Sequence, residues 1–240
     1  MDNKVKLIQM AYFAQSTERF DDMASKLKSL IEQTDFLSND ERNMFSFVFQ
    51  KLARNLRTSW HNICIIEKNT YNNNYKPNLV KEYRQVIEQN LVSLCNEALS
   101  LIEKLLVSKR NDCETDIFYY KMKGDYYRYI SEVVTGEKFC ISAAEAQKCY
   151  QKGFDIGVKN LEPTNEVFLE LIIDFAIFYY DILNMPDVAC QIAENAYNKA
   201  LANIDNVNNI TEDNILVLMI LLDENIRYWK PNIKIKLTRG

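Results

Sequence analysis

Polar side chains recur at helical spacing within one stretch of the sequence. Gln50, Arg54, Arg57 and His61 follow one another at steps of four, three and four residues. This spacing places all of them along one face of an α-helix. Because Arg presents paired planar donors to carboxylates and phosphates, such a face is suited to binding an anion.

A second stretch carries a related pattern. Lys121 and Arg128 are seven residues apart, and Tyr129 lies beside Arg128. A Tyr hydroxyl can donate a hydrogen bond to the same anion. Two such faces opposite each other would form an anion pocket. The alternative is that both are solvated cationic faces, paired with nearby acids such as Asp125.

The residue types do not indicate catalytic chemistry. His61 is the only histidine, and the six cysteines never form a C-x-x-C pair. The chain therefore lacks the imidazoles that most zinc sites and acyl-transfer triads need. A hydrolase acting on the bound anion would need a metal cluster or an oriented base and nucleophile. We predict a protein that is not an enzyme and that uses no metal and no cofactor.

The elements that must position these residues are helices. The chain has 240 residues, a formal charge of −4, and only five Gly and four Pro. So few turn-forming residues exclude a β-sandwich or barrel, and no Gly-rich nucleotide-binding fingerprint occurs. The longest apolar run, residues 215–222, is too short to span a bilayer, and the N-terminus lacks a signal-peptide pattern. We expect a cytoplasmic all-α protein without membrane or nucleic-acid partners.

Capping and spacing signals divide the chain into about nine helices. Residues 38–41 form a capping box, which opens a helix of about thirty residues. After a polar break at residues 72–77, apolar residues recur from Leu79 to Leu105 at steps of three and four. Further breaks fall near residues 108–113, 135–138, 161–164, 184–186 and 205–209. Short connections predict antiparallel packing of successive helices.

Four segments closely resemble the signature blocks of 14-3-3 proteins, in the family's order and spacing. They are residues 18–23 (ERFDDM), 37–43 (LSNDERN), 120–129 (YKMKGDYYRY) and 178–184 (FYYDILN). The resemblance extends from about Leu7 to Trp229. It implies a single domain, residues 1–230, folded as a curved, cup-shaped layered array of helices, with a short basic C-terminal tail at residues 231–240. It also implies a non-enzymatic signalling adaptor that binds phosphoserine or phosphothreonine motifs of partner proteins in an amphipathic groove.

The resemblance assigns the residues that hold the phosphate. The family uses a Lys, two Arg and a Tyr, and the matching positions are Gln50, Arg57, Arg128 and Tyr129. Gln50 removes one positive charge but keeps a donor. Arg54, one turn from both Gln50 and Arg57, either restores that charge or obstructs the groove. His61 is interpreted as a supporting or surface residue.

The resemblance also assigns the groove that binds the peptide. Asp174 matches a family Asn whose side-chain amide donates to and accepts from the backbone of the bound peptide. Glu170 lies where the family has a Gly. A carboxylate only accepts hydrogen bonds and repels phosphate, so Asp174 is expected to weaken binding by about 1–3 kcal/mol. For the apolar members, the alternative is plain helical core. The assigned groove residues are Lys121, Ile173, Asp174, Ile177, Asp181, Leu218, Leu221, Leu222, Asn225 and Trp229.

The resemblance to 14-3-3 proteins also implies that the protein dimerises through its N-terminal helices. Arg19 and Asp22 remain, but the family's opposing Glu and Lys correspond to Asn90 and Val86, so both salt bridges are expected to be lost. Each exposed pair contributes only about 0–1 kcal/mol, which leaves open a homodimer or a heterodimer with a paralogue. The assigned interface residues are Phe13, Thr17, Arg19, Asp22, Ser59, Tyr83, Val86 and Asn90.

Two functions are compatible with these residues. The first is an adaptor with altered sequence preference or reduced affinity for phosphopeptides. The alternative is a dimerisation or scaffold partner that has largely lost phosphopeptide binding, for which Gln50, Glu170 and Asp174 are the evidence. A separate hypothesis is that phosphorylated Thr238 docks into the groove of a neighbouring molecule, as in the family's C-terminal ligand pattern; a frayed chain end is the alternative.

Overall fold

The computed structural model describes residues 3–69, 76–108, 111–204 and 209–239. Within these ranges the regular secondary structure is helical throughout, and no helix is both long and apolar enough to cross a membrane. The all-α class and the number of helices predicted from the sequence are confirmed for this part of the chain. The helices are α1 (Asn3–Ser16), α2 (Phe20–Gln33), α3 (Asn39–Lys68), α4 (Pro77–Leu106), α5 (Cys113–Val133), α6 (Glu137–Asn160), α7 (Glu166–Asp181), α8 (Pro186–Leu201) and α9 (Asn209–Arg239).

The chain divides into two compact units, Met1–Arg110 and Asn111–Gly240. In the first unit, α1 packs on α2, α2 on α3 and α3 on α4. In the second unit, α5 packs on α6 and α7, and α8 packs on α7 and α9. Helices that follow one another in the chain are therefore packing neighbours within each unit, as short connections predict. The single domain of residues 1–230 stays a prediction.

The start of α3 shows how local sequence directs the first unit. The Ser38 hydroxyl oxygen accepts a hydrogen bond from the backbone N–H of Glu41 at 3.4 Å, and the Glu41 carboxylate accepts one from the backbone N–H of Ser38 at 2.9 Å. This capping box satisfies two N–H groups that the helix itself leaves unpaired. Lys4 of α1 forms a 3.0 Å ion pair with the same carboxylate. The predicted capping box is confirmed, and it fixes the register of the helix that carries Arg57.

Replacing Ser38 by Ala is expected to lower the free energy of unfolding by about 0.5–2 kcal/mol, because the side chain that caps α3 is lost. Urea denaturation followed by circular dichroism measures this change. Ser100→Ala, at an exposed position inside α4, is the matched control and should leave the unfolding midpoint nearly unchanged. A Ser38→Ala midpoint equal to that of the wild type would contradict the role of the cap.

The core of the second unit is centred on α7, which is apolar around most of its circumference and buries half of its side chains. Tyr150 of α6 stacks on Phe175 of α7, with ring centroids 5.5 Å apart. Tyr180 of α7 stacks on Trp229 of α9, with ring centroids 5.2 Å apart. These aromatic pairs hold α6 and α9 against α7. The acidic side chains of α7 need cationic partners in this setting, because burying a lone carboxylate is unfavourable.

Helix α9 differs from the expectation at its end. The sequence predicts a short tail at residues 231–240, whereas the α9 backbone continues to Arg239 and includes Pro231. The fixed φ of proline, about −65°, is helical, so a helix can continue through Pro231 with the loss of one backbone hydrogen bond. The Thr238 side chain and Gly240 lie outside the described residues, and docking of phosphorylated Thr238 stays a prediction.

Candidate functional site

Helix α5 carries a charged face inside the second unit. Lys121, Asp125 and Arg128 follow one another at i, i+4 and i+7, which places them on one side of the helix. All three side chains are buried. Buried charges need partners of opposite sign, because removing a charge from water is unfavourable. Acidic residues of α5 and α7 provide these partners, and a tyrosine of α6 adds hydrogen bonds.

Carboxylates surround the Lys121 ammonium group. The Nζ atom of Lys121 lies 2.8 Å from Oδ2 of Asp174. The same atom lies 3.5 Å from Oδ2 of Asp125 and 3.8 Å from Oε2 of Glu170. Glu170 and Asp174 are one turn apart on α7, so both reach α5 from the same side. The shortest contact of Lys121 therefore links α5 to α7.

The Arg128 guanidinium is held by acids and by a phenol. Its Nη2 atom lies 3.2 Å from Oδ1 of Asp125 and 3.7 Å from Oδ1 of Asp174. Its Nε atom donates a hydrogen bond to the hydroxyl oxygen of Tyr150 at 3.2 Å. The Tyr150 hydroxyl in turn donates to Asp125 at 2.7 Å, and Nη1 of Arg128 lies 3.9 Å from Glu132. This network fixes the plane of the guanidinium.

Tyr150 reaches the network because α5 has a glycine beside it. A Cβ atom at Gly124 would lie 2.5 Å from Cε1 of the buried Tyr150 ring, so only glycine allows the ring to lie against the α5 backbone. The sequence analysis did not identify Tyr150 as a site residue, since it is 25 positions from Asp125 and no spacing rule connects them. The available signal was Gly124, because a glycine within a helix often marks a close approach.

The pKa values of the cluster follow from burial and charge. Burial disfavours the charged form of Lys121, but the surrounding carboxylates, Asp174 foremost, outweigh it and raise the Lys121 pKa above its ordinary value. Burial also disfavours ionised Asp174, yet Lys121 and Arg128 lower the Asp174 pKa below its ordinary value. Burial prevails at Asp125 and Glu170, whose pKa values are raised. Asp174 is therefore an ionised carboxylate between two cations at neutral pH.

Tyr129 lies beside the Arg128 guanidinium. The Cζ atom of Arg128 is 4.8 Å from the centroid of the Tyr129 ring, which is within the range of a cation–π interaction. Tyr129 is half-buried, and its ring meets that of Tyr126 edge-on at 5.9 Å between centroids. The structure thus brings together the two phosphate-binding candidates of the second unit.

The candidates of the first unit lie along α3. Gln50 and Arg57 are half-buried, whereas Arg54 and His61 are exposed. The His61 ring lies 5.1 Å from the ring of Trp60. All of them belong to the first unit, whereas the charged face of α5 belongs to the second. Binding of one phosphate by residues of both units stays a prediction.

The assigned apolar groove residues differ in accessibility. Ile173, Leu222 and Trp229 are buried in the core of the second unit. Ile177 and Leu218 are half-buried and pack against that core. A peptide on this surface would therefore contact Ile177 and Leu218 more readily than the three core residues.

The remaining groove candidates are accessible or polar. Leu221 and Asp181 are exposed on α9 and α7. Asn225 of α9 is half-buried, and its Nδ2 atom is buried with no hydrogen-bond acceptor in the described part of the chain. An unpaired buried amide is unfavourable, so this donor is available to an acceptor on a ligand.

The first unit exposes the apolar residues assigned to dimerisation. Phe13 of α1 is 69% exposed, and Tyr83 and Val86 of α4 are 61% and 48% exposed. Asn90, one turn after Val86, is also exposed. Large exposed apolar side chains on neighbouring positions of a helix are typical of interaction surfaces.

The polar dimer candidates have partners within the chain. The hydroxyl groups of Thr17 and Ser59 donate to backbone carbonyl groups four residues earlier. Arg19 and Asp22 form an ion pair with each other. The two charges that the resemblance retains therefore already neutralise one another.

Comparisons with known proteins identify a family and related sequences. A family model described as 14-3-3 protein matches residues 10–230. The chain is 40% identical to the 14-3-3 protein beta/alpha of Mus musculus over 227 residues, which cover 95% of this chain and 92% of that protein. It is also 40% identical to the protein of the same description from Gallus gallus over 227 residues, which cover 95% and 93%.

The fold and these matches place the protein among helical, non-enzymatic adaptors. More specifically, the chain belongs to the 14-3-3 family. Membership of this family supports a role in binding phosphorylated partner proteins and in forming dimers.

Proposed function

We propose that the protein binds phosphoserine and phosphothreonine motifs of partner proteins, a role that its family membership supports. Arg128, Tyr129 and Arg57 are the proposed phosphate ligands, with Gln50 and Arg54 as supporting donors. The observation that carries the proposal is the buried Arg128 guanidinium, fixed by a carboxylate and a phenol, with Tyr129 against its face. A planar guanidinium held in one orientation loses little rotamer freedom when it binds a dianion.

Asp174 is proposed to reduce the affinity or change the sequence preference. Its carboxylate lies 2.8 Å from Lys121 and 3.7 Å from Arg128, so it already offsets part of the positive charge of both side chains. A bound phosphate has to share Arg128 with this ionised carboxylate, and like charges repel. A partner peptide with a basic residue near its phosphorylated residue would offset the repulsion.

Asn225 and its apolar neighbours are proposed to bind the peptide chain. The buried Nδ2 group of Asn225 has no acceptor in the described residues, and a backbone carbonyl of an extended peptide would provide one. Leu221 lies one turn and Leu218 two turns before it on α9, and both are at least partly accessible. This arrangement supports an amphipathic surface with charges on α5 and apolar groups on α9.

A titration with a fluorescently labelled phosphoserine peptide tests the proposal. We expect saturable binding, followed by fluorescence anisotropy, that is at least about tenfold tighter than binding of the same peptide without phosphate, because charge-assisted bonds contribute about 1.5–3 kcal/mol each. Equal affinity for the two peptides would contradict phosphate recognition.

The alternative function, a scaffold that has largely lost phosphopeptide binding, is favoured by one observation. Lys121 and Arg128 both have carboxylate partners before any ligand binds. A charge-neutral face attracts a dianion less than a cationic face does. Phosphopeptide binding in Asp174→Asn but not in the wild type would favour this alternative.

The exposed apolar residues of α1 and α4 are proposed to form a dimer interface, either with a second copy of the chain or with a paralogue, in a protein that acts in the cytoplasm. Replacing Phe13 or Tyr83 by Glu is expected to raise the dimer dissociation constant by about a hundredfold, since a buried aromatic anchor is exchanged for a charge. Sedimentation velocity at micromolar concentration measures the shift to monomer.

Ile141→Glu is the matched control for these variants, because Ile141 is 58% exposed but lies on α6 in the second unit. It should leave the dissociation constant unchanged. If Phe13→Glu and Tyr83→Glu also sediment like the wild type, the assignment of the interface to α1 and α4 is wrong.

A further inference from the structure

The second unit contains a cavity that is separate from the charged cluster on α5. It has a volume of about 140 Å³, and α6, α7 and α8 line it. Its walls are mainly apolar and include Phe154 of α6, Phe168 and Ile172 of α7, and Ile192 of α8. An apolar cavity of roughly 150 Å³ is large enough to bind a benzene ring. The size and lining therefore suit a single aromatic ring.

Two small residues lie in or beside the walls of this cavity. A Cβ atom at Gly157 would lie 2.3 Å from atoms of the Phe168 ring, so the ring rests directly on the α6 backbone. The Phe154 and Phe168 rings lie 5.8 Å apart between centroids and form one wall. Ala196 of α8 lines the cavity with only a methyl group. A larger side chain at Ala196 would project into the space.

One edge of the cavity is polar. Asn195 and Lys199 both line it and lie one turn apart on the exposed side of α8. In the described ranges, the Lys199 ammonium forms no ion pair, whereas Lys121 and Lys230 of the same unit have carboxylate partners. A cation at the rim of an apolar cavity matches a ligand that has an aromatic body and an acidic end.

The geometry points to a binding site for a small aromatic monocarboxylate, such as phenylacetate. The ring enters the apolar cavity between Phe154 and Ile192, and the carboxylate accepts hydrogen bonds from Lys199 and Asn195 at the rim. This site is independent of the proposed phosphopeptide site, since none of its lining residues belongs to the charged cluster. A ligand of about ten heavy atoms is expected to bind with a dissociation constant near 1 mM.

Methyl NMR of the full chain with labelled Ile side chains tests the site, with phenylacetate as the probe. We expect saturable shifts of the Ile172 and Ile192 methyl signals. Lys199→Met should weaken binding by about threefold to fivefold, because the exposed charged partner of the carboxylate is lost. Lys138→Met, which removes an exposed lysine at the start of the same unit's α6, should leave the affinity unchanged.

Two further measurements separate the cavity from its charged rim. Ala196→Met should abolish the shifts by filling the space, and circular dichroism verifies that this variant is folded. Benzyl alcohol, which lacks the carboxylate, should bind about threefold to fivefold more weakly than phenylacetate. The proposal would be overturned by the absence of saturable shifts, by equal binding of the two probes, or by unchanged affinity in Lys199→Met. Lys199→Met changes only an exposed side chain, so its result does not depend on whether Ala196→Met folds.

Discussion

Replacement of Arg128 by Ala is expected to abolish measurable phosphopeptide binding and to lower the melting temperature. The binding loss follows from removing the paired guanidinium donors, whose charge-assisted bonds contribute about 1.5–3 kcal/mol each. The stability loss follows from the buried position of Arg128, which is only 7% exposed and contacts Asp125, Asp174 and Tyr150. Breaking a buried ion pair costs about 3–5 kcal/mol, or about 6 °C or more in a protein of this size.

Arg128→Lys separates binding from folding. Lysine keeps the positive charge beside the buried carboxylates, so the melting temperature should fall much less than in Arg128→Ala. It cannot present the planar pair of donors, and affinity should fall by at least about tenfold. Arg227→Ala is the control, since Arg227 pairs with Asp223 on the exposed side of α9. Calorimetric affinity unchanged in Arg128→Lys would contradict the proposed role of the guanidinium.

Replacement of Asp174 by Asn is expected to strengthen binding of a phosphoserine peptide by tenfold or more. The substitution removes an ionised carboxylate that lies 3.7 Å from Arg128 and restores an amide that can donate to the peptide backbone. The fold should tolerate it, because Lys121 keeps Asp125 at 3.5 Å and Glu170 at 3.8 Å. A gain of about 1–3 kcal/mol corresponds to roughly tenfold to a hundredfold in affinity.

Asp187→Asn is the matched control for this variant. It removes the same charge from an exposed position at the start of α8, so it reports the general effect of net charge on binding a dianion. Isothermal titration calorimetry of both variants at physiological salt compares the two effects. An Asp174→Asn affinity no higher than that of Asp187→Asn would show that Asp174 does not oppose the phosphate.

Most of the fold could be predicted because its signals are local. The capping box of Ser38 and Glu41 specifies where α3 begins, and Pro77, the last residue of the predicted polar break, begins α4. The end of α9 could not be predicted in this way, since Pro231 usually marks the end of a helix but is compatible with helical φ. Local rules thus locate helix starts better than helix ends.

The charged cluster was predictable only in part. The spacing of Lys121 and Arg128 places them on one face of α5, and the sequence left open whether this face meets an anion or pairs with acids such as Asp125, to which both are in fact paired. It did not predict that Asp174 contacts Lys121, because that contact joins α5 to α7 and depends on how the two helices pack. Asp174 was expected to lose a donated hydrogen bond and to repel a phosphate, and the structure adds that its carboxylate contacts both Lys121 and Arg128.

A crystal structure of the chain with a phosphoserine peptide tests the central claim most directly. We predict phosphate oxygens within about 3 Å of the Arg128 guanidinium and the Tyr129 hydroxyl, as expected for charge-assisted hydrogen bonds. Arg57 should contribute further donors to the same phosphate, and a peptide carbonyl should accept a hydrogen bond from Nδ2 of Asn225. A phosphate bound elsewhere, with Arg128 contacting only its own carboxylates, would contradict the account.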